Sequence, residues 1–190
     1  LSSTSSKIAQ GEVLQLQHKG EVDMLEETYL KIISAKTAAL FAAAAKVGSI
    51  LANKENRIKD ALEFYGKNLG LTFQIADDTL DYNSELKLFG KEIGNDFYEG
   101  KVTLPIILLY QKVSNEEKKY LKSLFIKNSR TEEELNNVLK LIKKYNIIAA
   151  CYKKAEHFIN LSSNSLSIFD ISKEKEILQN LTSFSLERNF

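Results

Sequence analysis

The sequence predicts an all-α helical bundle. Three observations carry that prediction. Apolar residues recur at i,i+3 and i,i+4 along most of the chain, the single proline stands where a helix would begin, and no alternating strand pattern of useful length occurs. A chain of 190 residues suffices for one domain with a substantial core and is short for two, so residues 1–190 are read as a single domain.

Residues 8–16 read as the tail of a helix that ends at His18-Lys19-Gly20. Asp23 and Glu26 have capping-box spacing and would open a long helix through Leu25, Tyr29, Ile32, Ile33 and Ala45 to about Leu51. Ile58, Leu62, Tyr65, Leu69, Phe73, Ala76 and Leu80 form one apolar stripe over residues 56–82. A polar loop runs from there to Lys101. Thr103 or Leu104 then lies near an N-cap with Pro105 in the first turn, where the missing proline N–H costs no helical hydrogen bond. Ser114 with Glu117 and Thr131 with Glu134 make further capping boxes, the second opening a helix that carries Leu135, Val138, Leu139 and Ile142. Helices over residues 147–169 and 174–186 complete the set.

Composition excludes several classes of function. Lysine plus arginine (26) nearly balances aspartate plus glutamate (25), so the net charge of +1 gives no support to nucleic-acid or acidic-membrane binding. The most apolar windows, residues 38–50 and 104–110, are too short or are interrupted by Lys46, so no membrane span is expected. Cys151 is the only cysteine and lies in an apolar run, which reads as buried filler in a reducing, cytoplasmic protein. His18 and His157 stand far apart, with no second ligand at metal spacing. The N-terminus lacks both a secretory signal and an initiator methionine, as expected of a piece of a longer protein or a shortened product.

Chemistry concentrates in two segments. Asp77-Asp78-Thr79-Leu80-Asp81 places three carboxylates in an otherwise apolar helix. Asp77 and Asp81 share a face, their Cβ atoms roughly 6 Å apart, and like charges at that spacing repel unless a cation offsets them. Carboxylate oxygens suit Mg²⁺, which commonly links one or two carboxylates to substrate phosphates. The plain alternative is a solvated acidic helix end. The second segment is Gly90-Lys91-Glu92-Ile93-Gly94-Asn95-Asp96-Phe97-Tyr98-Glu99-Gly100-Lys101-Val102-Thr103-Leu104-Pro105. Its glycines allow close backbone approach to a ligand and its lysines are mobile charges for phosphate. An acidic helix followed by a Gly/Lys loop reads as a metal-plus-phosphate site, against the alternative of an ordinary exposed loop.

Further segments join these two. Gly11-Glu12-Val13-Leu14-Gln15-Leu16, the stretch from Tyr29 through Lys36-Thr37-Ala38 to Leu40-Phe41, Phe73-Gln74-Ile75-Ala76 leading into the acidic motif, the loop to Pro105, and Glu187-Arg188-Asn189-Phe190 follow one another along the chain. Over nearly its whole length the chain resembles the C-terminal portion of an all-trans polyprenyl diphosphate synthase, most like the bacterial octaprenyl type that makes quinone side chains. The resemblance implies an isoprenoid-synthase-type helical bundle, incomplete at its N-terminal side. It also implies a Mg²⁺-dependent prenyltransferase that condenses an allylic diphosphate with isopentenyl diphosphate. Asp77 is then the direct Mg²⁺ ligand, with Asp78 and Asp81 acting through waters or neighbouring groups. Lys36, Lys91 and Lys101 contact or steer diphosphate, and Asp96 orients a loop lysine. Thr37 and Gln74 stand near the reacting carbons, where their dipoles stabilise developing positive charge, and with Lys36 they make up the implied catalytic set. A homodimer, or a partner prenyltransferase chain, is implied as well.

One departure stands beside the match. The family works with two aspartate-rich motifs on opposing helices, whereas Asp23, Asp60, Asp96 and Asp170 are isolated here, so only one is present. Half of a metal clamp is expected to bind diphosphate weakly and to catalyse poorly. The competing readings are a non-catalytic or split-gene subunit that binds a chain carrying the first motif, a class I terpene cyclase, and a helical scaffold without ligand. The loop ending at Pro105 argues against the cyclase.

Overall fold

The computed structural model describes residues 2–83 and 93–187. Every regular element among them is helical: α1 (Ser2–Gln17), α2 (Glu26–Ile33), a π-helical turn (Ser34–Ala38), α3 (Ala39–Leu51), α4 (Asn56–Leu80), α5 (Asn95–Glu99), α6 (Leu104–Lys112), α7 (Asn115–Phe125), α8 (Glu132–Lys144), α9 (Ile147–Ser165), a short 3₁₀ turn (Leu166–Ile168) and α10 (Lys173–Glu187). The expected all-α bundle is therefore what forms. No described helix is long and apolar enough to cross a membrane.

The central element is α4, 25 residues and roughly 37 Å long. Tyr65, Leu69, Thr72, Ile75, Ala76 and Thr79 are buried along it. It packs on α3 and the π turn on one side and on α9 on the other. The Tyr65 hydroxyl donates to the Leu178 carbonyl at 2.8 Å, tying α4 to α10, and Ser162 of α9 donates to the Tyr65 carbonyl at 3.0 Å. The main core lies under α2, α4, α6, α7, α8 and α9, with Ile75, Ile106, Leu109, Leu121, Val138 and Ile147 at its centre.

Both capping boxes at Ser114/Glu117 and Thr131/Glu134 form as predicted, and Pro105 sits in the first turn of α6 behind the N-cap Thr103. The capping box at Asp23 does not form. Val22 and Met24 are buried on either side of Asp23 and turn its side chain outward, where it meets Lys122 at 2.7 Å. Glu26 pairs with Lys154 at 2.7 Å instead, and Leu25 takes the N-cap with no side-chain hydrogen bond.

The long helix expected over residues 23–51 is likewise interrupted. Tyr29, Ile32 and Ile33 are buried on α2, and the next buried position is Ala38, not the Thr37 that a straight helix would supply. The wider π turn moves the buried stripe on by one residue and leaves Lys36 and Thr37 half-buried at its margin. Two glycines hold this turn from opposite sides. A Cβ on Gly11 would stand 2.5 Å from the Lys36 amide nitrogen, and one on Gly70 would stand 2.6 Å from Ala38 Cα. The backbones of α1 and α4 therefore close on the turn at distances no larger residue permits.

The loop expected between residues 82 and 101 also contains a short helix, α5. Gly94 (φ 85°) and Gly100 (φ 72°) bracket it in left-handed backbone that favours glycine, so the chain turns sharply at each end.

Candidate functional site

The C-terminal part of α4 touches both the π turn and the start of α5, and the π turn in turn touches the C-terminal half of α1. Asp77 is exposed, whereas Asp78, one residue on, is only 5% exposed. The Tyr29 hydroxyl donates to Asp78 Oδ2 at 2.7 Å, and the Gln74 amide nitrogen donates to Asp78 Oδ1 at 2.7 Å. Gln74 Oε1 in turn accepts the Thr37 hydroxyl at 2.6 Å. Thr37, Gln74, Asp78 and Tyr29 thus form one hydrogen-bonded chain across the π turn, α4 and α2.

Asp81 closes the other side. Its Oδ1 accepts the Asn95 amide and its Oδ2 accepts the Asp96 amide, both at 2.9 Å, while its carbonyl accepts the Gly94 amide at 2.7 Å. The last acid of the motif is therefore the cap of α5 and fixes where Asp96 stands. Lys101 Nζ lies 3.6 Å from Asp96 and 2.6 Å from Glu99. Lys36 Nζ, on the π turn, donates to Gln15 at 2.8 Å and pairs with Glu12 at 3.0 Å, both on α1.

Asp78, Asp81 and Asp96 are held above the ordinary carboxylate range. Burial raises Asp78 most, the charge of Asp96 adds to it, and the hydrogen bonds from Tyr29 and Gln74 oppose it. Burial also raises Asp96, to about 6, with Asp81 adding and Lys101 opposing. Asp81 is raised by burial against the pull of the three α5 amides. Burial draws the Lys101 ammonium down, but Glu99 and Asp96 outweigh it and its pKa ends raised. One buried and two half-buried acids that repel one another are what a bound cation would relieve.

The donor set fits a hard cation that takes most of its ligands from elsewhere. Among the described residues, no three acidic, histidine or cysteine side chains converge as a closed metal site. Asp77 presents an exposed carboxylate, while Asp78 and Asp81 already hold hydrogen bonds on both oxygens. Of the three motif carboxylates, Asp77 is the one that could be shared between a hard divalent ion and phosphate or water.

Of the residues singled out in the sequence, the structure brings Thr37, Gln74 and Asp78 into direct contact, and likewise Asp96 with Lys101. Lys36 is held by α1, outside that chain of contacts. Lys91 lies outside the described residues. Tyr29 was read from the sequence as one more member of an apolar stripe, and its hydroxyl contact to Asp78 has no local signal because 49 residues separate the two. The grip of Glu12 and Gln15 on Lys36 was also missed. Cys151 is buried, and burial pushes its thiol up to about 12, so it is inert as expected.

Comparison with known proteins gives a consistent result. A family model for polyprenyl synthetase matches residues 1–142. The chain is 34% identical over 187 residues to the all-trans-nonaprenyl-diphosphate synthase (geranyl-diphosphate specific) of Rhodobacter capsulatus, covering 98% of this chain and 57% of that protein. It is 32% identical over 189 residues to the octaprenyl diphosphate synthase of Escherichia coli, covering 100% of this chain and 58% of that one. The crystal structure of a polyprenyl synthase from Caulobacter crescentus, complexed with calcium and isoprenyl diphosphate, superposes with a TM-score of 0.93 at 35% identity, covering 100% of this chain and 58% of that one. The chain thus spans a little over half the length of the relatives it matches.

Proposed function

Because the chain belongs to the polyprenyl synthetase family, we propose that it carries the diphosphate-holding half of a prenyl-transfer site. The reaction is condensation of an allylic diphosphate with isopentenyl diphosphate to a long-chain polyprenyl diphosphate, in the cytoplasm. The observation that carries the reading is the placement of exposed Asp77 one helical turn from Gln74, whose amide is bound into the Thr37–Asp78–Tyr29 chain.

Mg²⁺, held through Asp77, would neutralise the leaving diphosphate. The protein's own groups do the rest. Lys36 and Lys101 are ammonium groups held by neighbouring carboxylates or amides on short contacts, and each can turn to a phosphate oxygen when one arrives. Asp81 and Asp96 fix the α5 segment that presents Lys101. Departure of diphosphate leaves positive charge on the allylic carbon. The oxygens of Gln74, one turn from Asp77, and of Thr37, bonded to Gln74, supply the dipoles that stabilise it. The double bond of isopentenyl diphosphate attacks this cation and a proton is lost, giving a product longer by one five-carbon unit. The family resemblance and the calcium–isoprenyl diphosphate complex of the Caulobacter relative support the substrate class and the divalent ion. The octaprenyl and nonaprenyl relatives support a long product. A relative named heptaprenyl diphosphate synthase component 2, from Bacillus subtilis, supports a second prenyltransferase chain as partner, a homodimer being the other arrangement.

The test is incubation with Mg²⁺, an allylic diphosphate and labelled isopentenyl diphosphate. Elongated product supports stand-alone activity. Absence of product at high protein concentration sinks it. Mg²⁺-dependent diphosphate binding without turnover would instead favour a subunit that needs a partner chain.

A further inference from the structure

The chain Tyr29–Asp78–Gln74–Thr37 has a direction. Tyr29 donates to Asp78, Gln74 donates to Asp78, and Thr37 donates to Gln74. Asp78 takes the Gln74 amide nitrogen on Oδ1 and the Tyr29 hydroxyl on Oδ2, which leaves Gln74 Oε1 toward Thr37, and the Thr37 proton goes to Oε1. What Thr37 presents to the outside is lone pairs alone. A hydroxyl so fixed attracts a cation, while one free to rotate would offer its proton as readily.

From this we infer that Tyr29 is a positioning residue that sets the polarity of the cation-facing oxygens, and so the preference of the site for positive charge beside a bound diphosphate. The inference rests on the reading above, that organic cation forms beside Thr37. Tyr29 touches no substrate on this account. It is buried (2% exposed), and its hydroxyl meets Oδ2 of a carboxylate that is itself buried. Remove that hydroxyl and Oδ2 loses its donor in a buried position. The nearest remedy is for the Gln74 amide nitrogen to swing to Oδ2 or for the carboxyl to rotate, and either breaks the alignment of Oε1 with Thr37.

The experiment is titration calorimetry with Mg²⁺ and two probes of one shape, dimethylaminoethyl diphosphate, whose amine tail is cationic at neutral pH, and isopentyl diphosphate, its isostere with an uncharged tail. The native chain should bind the cationic probe more tightly, by about tenfold, the scale of one well-placed charge-assisted contact. Tyr29→Phe, which removes a single oxygen, should bind the neutral probe within about twofold of native and lose most of the cationic preference. Thr37→Val should lose the same preference, and the double variant should lose little more than either alone, since both act on one chain. Retention of the preference in Tyr29→Phe overturns the inference. Equal weakening of both probes also overturns it, because Tyr29 would then only support the fold. If the native chain binds neither probe with Mg²⁺, the proposed function falls and the inference falls with it.

Discussion

Asp81 accepts the amides of Asn95 and Asp96 on its two carboxylate oxygens, so the end of the acidic motif is also the start of α5. The motif is thus more than a set of charges. One of its acids builds the segment that presents the next.

Replacing Asp81 with alanine should therefore cost about 1 kcal/mol of stability, the scale of a lost helix cap. Amide exchange at Asn95 and Asp96 should quicken at the same time. Unchanged exchange at both amides would show that α5 holds itself in place without Asp81.

Asp77 should behave in the opposite way. Its carboxylate is exposed, so Asp77→Ala should leave denaturant stability within about 0.5 kcal/mol. Mg²⁺-dependent affinity for inorganic pyrophosphate should fall by about tenfold or more, ~1.4 kcal/mol. Intact Mg²⁺-dependent binding in this variant would remove Asp77 as the metal ligand.

Gly70→Ala places a methyl where Ala38 Cα already lies 2.6 Å away. Neither backbone yields cheaply, and the substitution should destabilise by about 1–3 kcal/mol, read from urea midpoints. Gly48→Ala is the control: a Cβ there meets nothing within 4 Å, so it should be neutral or stabilising.

Acid sensitivity should trace in part to Glu117. Hydrogen bonds from Lys144 and Tyr145 and from the Ser114 amide hold its carboxyl down, at about 2 against an ordinary 4.5. A group whose native pKa is depressed binds fewer protons folded than unfolded, so its contribution is fully present above about 4.5. It is lost as pH falls towards about 2. Melting curves of Glu117→Gln should lie below native at neutral pH and converge with it near the acid end. A gap that persists in strong acid would refute the assignment.

Local rules made much of this molecule legible. Ser114/Glu117, Thr131/Glu134 and Pro105 each announce a helix start within four residues of sequence, and each start is where it was expected. The acidic motif and Lys101 in its glycine-rich loop stood out by residue type, whereas Lys36 was singled out only by the family resemblance. Asp23 misled because capping depends on which way a side chain faces, and the burial of Val22 and Met24 decided that. The π turn was hidden because its cause is non-local: Gly11 and Gly70, distant in sequence, close on it together. Tyr29 was hidden for the same reason. A tyrosine in an apolar stripe looks like core until Asp78 arrives from another helix.

The π turn has a consequence for how this site is inherited. It adds one residue to the count between the side chains that α2 buries and those that α3 buries, and each residue of a helix is about 100° of rotation. Deleting any one residue of the turn would keep nearly every functional group and still swing Tyr29 away from Asp78. The site is stored in part as an integer. Substitution at Ser34 or Ala35 should be forgiven far more readily than a change of length, and a gap placed in this segment of an alignment would be a sign of lost function rather than harmless drift.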